Sequence, residues 1–292
     1  MIVAQRLRKG SANSARGAQR LVRDALKTVG GLGPARRSGR LGRTLLRADS
    51  AFYGHAVVGA ALKAGAEVSV TVRLDKKVKA AIASIQEDAW TRIEYPDAVF
   101  DEPTGAWISR AEVAEIDFVA FTSKRKADQV PGRLVVRRIP DLNTQPGQGT
   151  GQGTLFEQWR PHAFFTTTPR EVADTVTLDK THRRHAIIEQ VHADLKDSAL
   201  AHLPSGKFNA NAAWLVLAVM AFNLTRAAGA LAGADFARAT TGTIRHKLIN
   251  VPARAANSAR RPTLHLPIPW PWEHAWTRLF TAASDPPHAA AA

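Results

Sequence analysis

Two acids stand where they could do chemistry. Asp49 closes the run Arg43-Thr44-Leu45-Leu46-Arg47-Ala48, which has the character of a buried strand, and Gly54 follows shortly after. Glu189 lies within a stretch that reads at helical period. His182, His185, Glu189, His192 and Lys196 recur at steps of three and four and form one polar stripe, and Ile187, Ile188, Val191 and Leu195 form an apolar one. A solvated face is the ordinary fate of such a polar stripe. The apolar segment that follows instead predicts a helix inside the molecule, where one acid among several bases needs a partner. Carboxylates from a strand end and a facing helix are what Mg²⁺ (or Mn²⁺) requires, since these ions take oxygen ligands and share phosphate oxygens with a substrate. Two such ions about 3.5–4 Å apart activate an attacking oxygen and stabilise the leaving one. A competing reading places zinc on His185, Glu189 and His192, but their spacing differs from the H-E-x-x-H type.

The elements that must position these acids follow from the pattern. Residues 2–4 (Ile-Val-Ala) read as a strand, residues 11–29 as a helix and residues 43–53 as the strand bearing Asp49. A helix over 54–65, a strand over 66–74 and a helix over 76–85 come next. This alternation predicts an α/β layer with adjacent parallel strands, in which functional groups collect at the carboxyl ends. From Trp90 helical period is lost, and three runs rich in β-branched and aromatic residues predict a β-rich insertion over 89–154, ending in a mobile loop at 143–154. Residues 162–168 read as another strand and residues 169–180 as a short connection. One helix then runs through His182 to Lys196, followed by a long apolar helix over 208–229 and a further one over 234–249. Trp214 is expected in the core, with Trp270, Trp272 and Trp276 covering its open side. The expected segments are 1–88 and 155–250 for one α/β core, 89–154 for the insertion and 251–292 for a Pro- and Trp-rich tail.

Charge narrows the partners. The net charge is +15, and residues 1–48 hold twelve Lys and Arg against one acid, Asp24. Clustered positive charge is the footprint of a polyanion, most often nucleic acid, and Arg6, Arg8 and Lys9 at the front are candidate phosphate contacts. The absence of cysteine excludes disulfides, thiolate zinc sites and cysteine catalysis. No secretory leader is visible. The most apolar run, Ala212 to Phe222, falls short of the roughly 20 residues that span a bilayer, so no membrane partner is expected.

Three blocks in order carry a resemblance: Arg47-Ala48-Asp49-Ser50-Ala51-Phe52-Tyr53; His185 through Glu189 to Lys196; and Leu203-Pro204-Ser205-Gly206-Lys207-Phe208 leading into Asn211-Ala212-Ala213-Trp214, with the Trp270-Pro271-Trp272 tail behind them. Together they resemble bacterial insertion-sequence transposases of the DDE type, in particular the insertion sequence 1380 family. The resemblance implies a ribonuclease-H-like core with an inserted β domain and C-terminal helices. It also implies metal-dependent cleavage and transfer of double-stranded DNA at transposon ends and target, a homodimer on DNA, and a cytoplasmic, nucleoid-associated location. Asp49 becomes the second catalytic acid and metal ligand, and Glu189 the third. Related enzymes carry Tyr-x2-Arg-x3-Glu-x6-Lys on the last helix. Lys196 matches its Lys, while His182 and His185 stand at the Tyr and Arg positions, with Arg184 a partial substitute for the Arg. These four become candidate DNA contacts. The family's first Asp precedes this region, and the only acid before Asp49 is Asp24, inside a helix. The expectation is therefore an incomplete core without its first strands: an N-terminally truncated enzyme, inactive or weakly active alone, or else a non-catalytic DNA-binding form that competes with intact transposase.

Overall fold

The computed structural model describes residues 1–31, 43–101, 106–140, 159–184, 187–258 and 260–284. The expected loop at 143–154 and His185 lie outside them. The chain divides into two compact units: Gly10–Ala186, and Met1–Lys9 together with Ile187–Ala292.

The first unit is a mixed α/β layer. Helix α1 (Ala18–Gly30) turns Ala18, Val22 and Leu26, spaced four apart, toward the core, and the turns before it take up residues expected to be helical. Strand β1 (Leu45–Ala48) is followed by helix α2 (His55–Lys63) and strand β2 (Glu67–Thr71), which pairs with β1 in parallel. Gly65, at φ 74°, ends α2: Ala66 N–H donates to Ala61 O at 3.0 Å and Gly65 N–H to Leu62 O at 2.9 Å. This closure needs a left-handed residue, which glycine adopts without a Cβ clash. Helix α3 (Lys76–Ala83) is capped by Asp75, whose carboxylate accepts from Val78 N–H at 2.9 Å.

The runs expected as an insertion form β3 (Thr91–Asp101), β4 (Ala106–Ala120) and β5 (Val130–Pro140). They join the same sheet as β1 and β2 through β6 (Trp159–Thr166), in the order β1-β2-β6-β5-β4-β3, with every pairing after β1–β2 antiparallel. Alternation along the strands gives the sheet two buried faces. Val68, Val70, Leu134, Val136 and Phe165 pack with Val58 and Ala61 of α2, while Val135 and Phe164 pack with Leu178 of helix α4 (Thr175–Arg183). Among the described glycines Gly132 permits the tightest approach: a Cβ there would lie 2.5 Å from Thr166 O and 2.7 Å from the Phe165 ring.

The stretch from His182 to Lys196, expected as one helix, belongs to two. Helix α4 ends at Arg183 in the first unit, and α5 (Ile187–Lys196) belongs to the second. The connection expected over 169–180 is partly helical, because Asp174 caps α4 by accepting from Thr177 N–H at 2.7 Å.

In the second unit, α6 (Phe208–Ala232) buries Asn211, Ala218, Val219, Phe222, Gly229 and Ala232 along one stripe. The expected helix over 234–249 is instead α7 (Ala234–Ala237), α8 (Thr241–Ile244) and a π-helical turn, Arg245–Ile249. Arg226 donates to Ala237 O and Ala239 O, holding the chain in place between α7 and α8. Strands β7 (Arg254–Ser258) and β8 (Arg261–His265) pair, and α9 (Glu273–Ser284) follows. Of the three tail tryptophans, Trp272 and Trp276 pack beside Ala232, Phe236, Ile244, Leu248 and Ala275 in a small cluster within this unit. Residues 2–4 form no strand: the Asn223 side chain accepts from Ile2 N–H at 2.7 Å and donates to Ile2 O at 2.8 Å, taking both ladder groups.

Helix α6 is longer than the apolar run that marked it, and by length and composition alone it could cross a membrane, with a mean hydropathy of 1.7 and 28% of that stretch buried. The core helix of a soluble protein passes the same test. Trp214, expected in the core, is 36% exposed and donates from Nε1 to Ala199 O at 2.8 Å.

Candidate functional site

The carboxyl ends of β1 and β2 lie at the same end of the sheet because these strands run parallel. Asp49 leaves β1 in extended backbone and caps the short 3₁₀ turn Ser50–Phe52, accepting from Ala51 N–H at 2.9 Å. That bond holds one carboxylate oxygen and leaves the other open to solvent, since Asp49 is exposed.

Arg47 lies two residues earlier, on the same face of β1 and opposite Ser69 in register. Its guanidinium donates to Thr181 O near the end of α4. Partial burial, and then the nearby charge of Arg184, lower its pKa from the usual guanidinium value. Two like charges held close together raise the local positive potential, which favours a phosphate. Arg184 is exposed at the C-cap of α4.

His182 takes a different place from the one expected. It is 7% exposed, stacked on Phe164 with ring centroids 4.1 Å apart. Its Nδ1 lies 2.8 Å from Ser69 Oγ and its Nε2 3.0 Å from Thr71 Oγ1. Whichever nitrogen carries the proton, both face hydroxyls of β2. The ring thus joins α4 to the sheet rather than lining an open face, because Ser69 and Thr71, two apart on a strand, present two polar groups to one side.

The remaining candidates lie in the second unit. Glu189 and Lys196 are exposed on α5, as are Ile187 (61%) and Ile188 (48%), so the first turn of this helix is open rather than interior. Only Leu195 of its expected apolar stripe is buried. Asp194, which neither stripe of the helical pattern includes, accepts from Thr241 N–H and Oγ1 and fastens α5 to α8. Arg6, Arg8 and Lys9 are exposed.

Among the described residues no three His, Asp or Glu side chains converge to hold a cation. Each unit by itself supplies one exposed candidate carboxylate: Asp49 in the first and Glu189 in the second. As hard oxygen donors these fit Mg²⁺ or Mn²⁺ rather than a softer ion, and neither completes a site alone.

The family model described as Transposase DDE domain group 1 matches residues 1–285. The chain belongs to this family. The match runs through both units, so Asp49 at its strand end and Glu189 on its helix fall within a transposase DDE domain. No curated protein sequence matches the chain significantly.

Proposed function

We propose that this transposase-family chain acts on the ends of a bacterial insertion sequence of the insertion sequence 1380 family, cutting and joining DNA by phosphoryl transfer on a ribonuclease-H-like core. The observation that carries the reading is an exposed acid at the carboxyl end of a parallel strand inside a DDE-family match that spans residues 1–285. Asp49 and Glu189 are each a candidate ligand for Mg²⁺ or Mn²⁺, which when bound would activate the attacking oxygen and stabilise the leaving one. Arg184, Lys196, Arg6, Arg8 and Lys9 contact the DNA backbone, and His185 stands with them by its place in the family signature. His182 holds α4 on β2 through the hydroxyls of Ser69 and Thr71. The working form is a homodimer on double-stranded DNA in the cytoplasm.

A second reading, DNA binding without cleavage, is supported equally by the basic front of the chain, where residues 1–48 hold twelve Lys and Arg against one acid. One experiment separates the two. The full chain is incubated with labelled duplex carrying the element's ends, with and without Mg²⁺ or Mn²⁺. Cleavage that disappears in Asp49→Ala and Glu189→Ala, with binding retained, supports the enzyme. Binding without cleavage in the unaltered chain supports the second reading, and the absence of both sinks each of them.

A further inference from the structure

Because β1 and β2 are parallel, the chain leaves both at the same end of the sheet, through Ser50 and Ala51 after Asp49 and through Arg73 and Asp75 after β2. Between these exits lies a cavity of about 270 Å³, lined also by Asn13 and Tyr53. It lies entirely within the first unit.

Its polar groups are of unlike kinds. Arg73 is exposed, with no ion pair or side-chain hydrogen bond among the described residues. Asp75 gives one oxygen to the cap of α3 and keeps the other. The Tyr53 phenol is pushed up to about 12 by burial and by the charge of Asp75, so it remains a donor at neutral pH. One Tyr53 face is spent on Phe121, with ring centroids 5.1 Å apart. A guanidinium and a carboxylate two residues apart, lining one cavity, suit a ligand that presents acceptors beside donors. A free phosphate offers acceptors alone and would meet the charge of Asp75. Guanine offers N7 and O6 as acceptors and then N1–H and N2–H as donors along one continuous edge. Adenine carries a donor where Arg73 needs an acceptor. In a duplex the N1 and N2 groups are already paired, so the edge is open only in an unpaired base.

We propose that the cavity at the carboxyl ends of β1 and β2 binds an unpaired guanine, with Arg73 donating to O6 and N7 and Asp75 accepting from the N1 and N2 edge. The site rests on DNA being the substrate. It would hold one nucleotide of the strand beside Asp49, whose immediate successors form the cavity wall.

The test uses the full chain and fluorescent DNA hairpins with one unpaired loop base, read by anisotropy. The bases are guanine, inosine (no N2 amine), 7-deazaguanine (no N7 acceptor) and adenine. The expected result is guanine bound about tenfold more tightly than each of the others, the scale of a bidentate base contact. Arg73→Ala should erase the discrimination against 7-deazaguanine. Asp75→Ser, which retains a capping oxygen but cannot reach the base, should erase the discrimination against inosine. Equal binding of all four loops by the unaltered chain, or discrimination that survives both substitutions, overturns the proposal while stem binding upholds the DNA reading. No binding of any hairpin overturns both.

Discussion

Glu115 and Asp179 are carboxylates that the fold drives in opposite directions. Burial alone would push Glu115 up, but hydrogen bonds from Arg133, Thr175 and Arg170 outweigh it and hold the group below the usual range. Arg133 is 5% exposed and also donates to Thr168 O and Ala173 O. Glu115→Ala should therefore cost about 3–5 kcal/mol in urea unfolding at pH 7, because it leaves a buried guanidinium without its counter-charge. The same pair contributes stability above the ordinary Glu pKa of 4.5, and that contribution is lost as pH falls through the depressed folded value. Asp179, 3% exposed, is raised above 3.8 by burial despite Arg137, Arg183 and Lys180. Its neutral form suits the fold, so its favourable share is present below 3.8 and is lost as pH rises through the folded value. Asp179→Asn should raise the thermal midpoint at pH 7, and the gain should vanish toward about pH 3, where the native carboxyl is itself neutral. For His182 the expected outcome of His182→Phe is a loss of about 1–3 kcal/mol from two unmet hydroxyls. DNA affinity of the folded variant should be unchanged, as measured by anisotropy under conditions where it remains native. The type of His182 was plain in the sequence, but its role was not. A polar stripe on one helix looked continuous, and only the pairing of β2 with β6 brings Ser69, Thr71 and Phe164 around the ring.

At the scale of elements, period and punctuation located most helices and strands to within a few residues. The parallel pair β1–β2 with α2 between them was legible because strand, helix and strand alternate within a short stretch. The join of β3–β5 to that pair was not, since β-branched runs declare a strand without naming its neighbour. That join depends on β6, whose Phe164 and Phe165 face opposite sides and pack both layers. The glycine opposite β6 is correspondingly intolerant. Gly132→Ala should lose about 1–3 kcal/mol in equilibrium unfolding, because the new methyl meets backbone oxygen and a buried ring rather than a movable side-chain end. The end of α4 at Arg183 was also hidden, since the residues before it have acceptable helix propensity.

For the whole molecule, the charge of +15 should govern the proposed association with DNA. Affinity for duplex should fall steeply with salt. Replacing Arg6, Arg8 and Lys9 by Ala should reduce the slope of log affinity against log salt by about 0.9 for each phosphate that these side chains neutralise. A slope unchanged by the triple substitution would remove these residues from the DNA surface. The sequence by itself pointed to the DDE transposase family and to the basic character, and it marked Asp49 and Glu189 as candidates, because motif order and net charge are properties of the chain before it folds. Tertiary structure decided which polar residues are spent in packing and which remain open. His182 and Asp194 are consumed by hydrogen bonds to residues distant in sequence, whereas Asp49, Glu189, Arg73 and Arg184 stay exposed. That distinction depends on which surfaces meet, and two side chains of equal polarity differ in it only once their neighbours are in place.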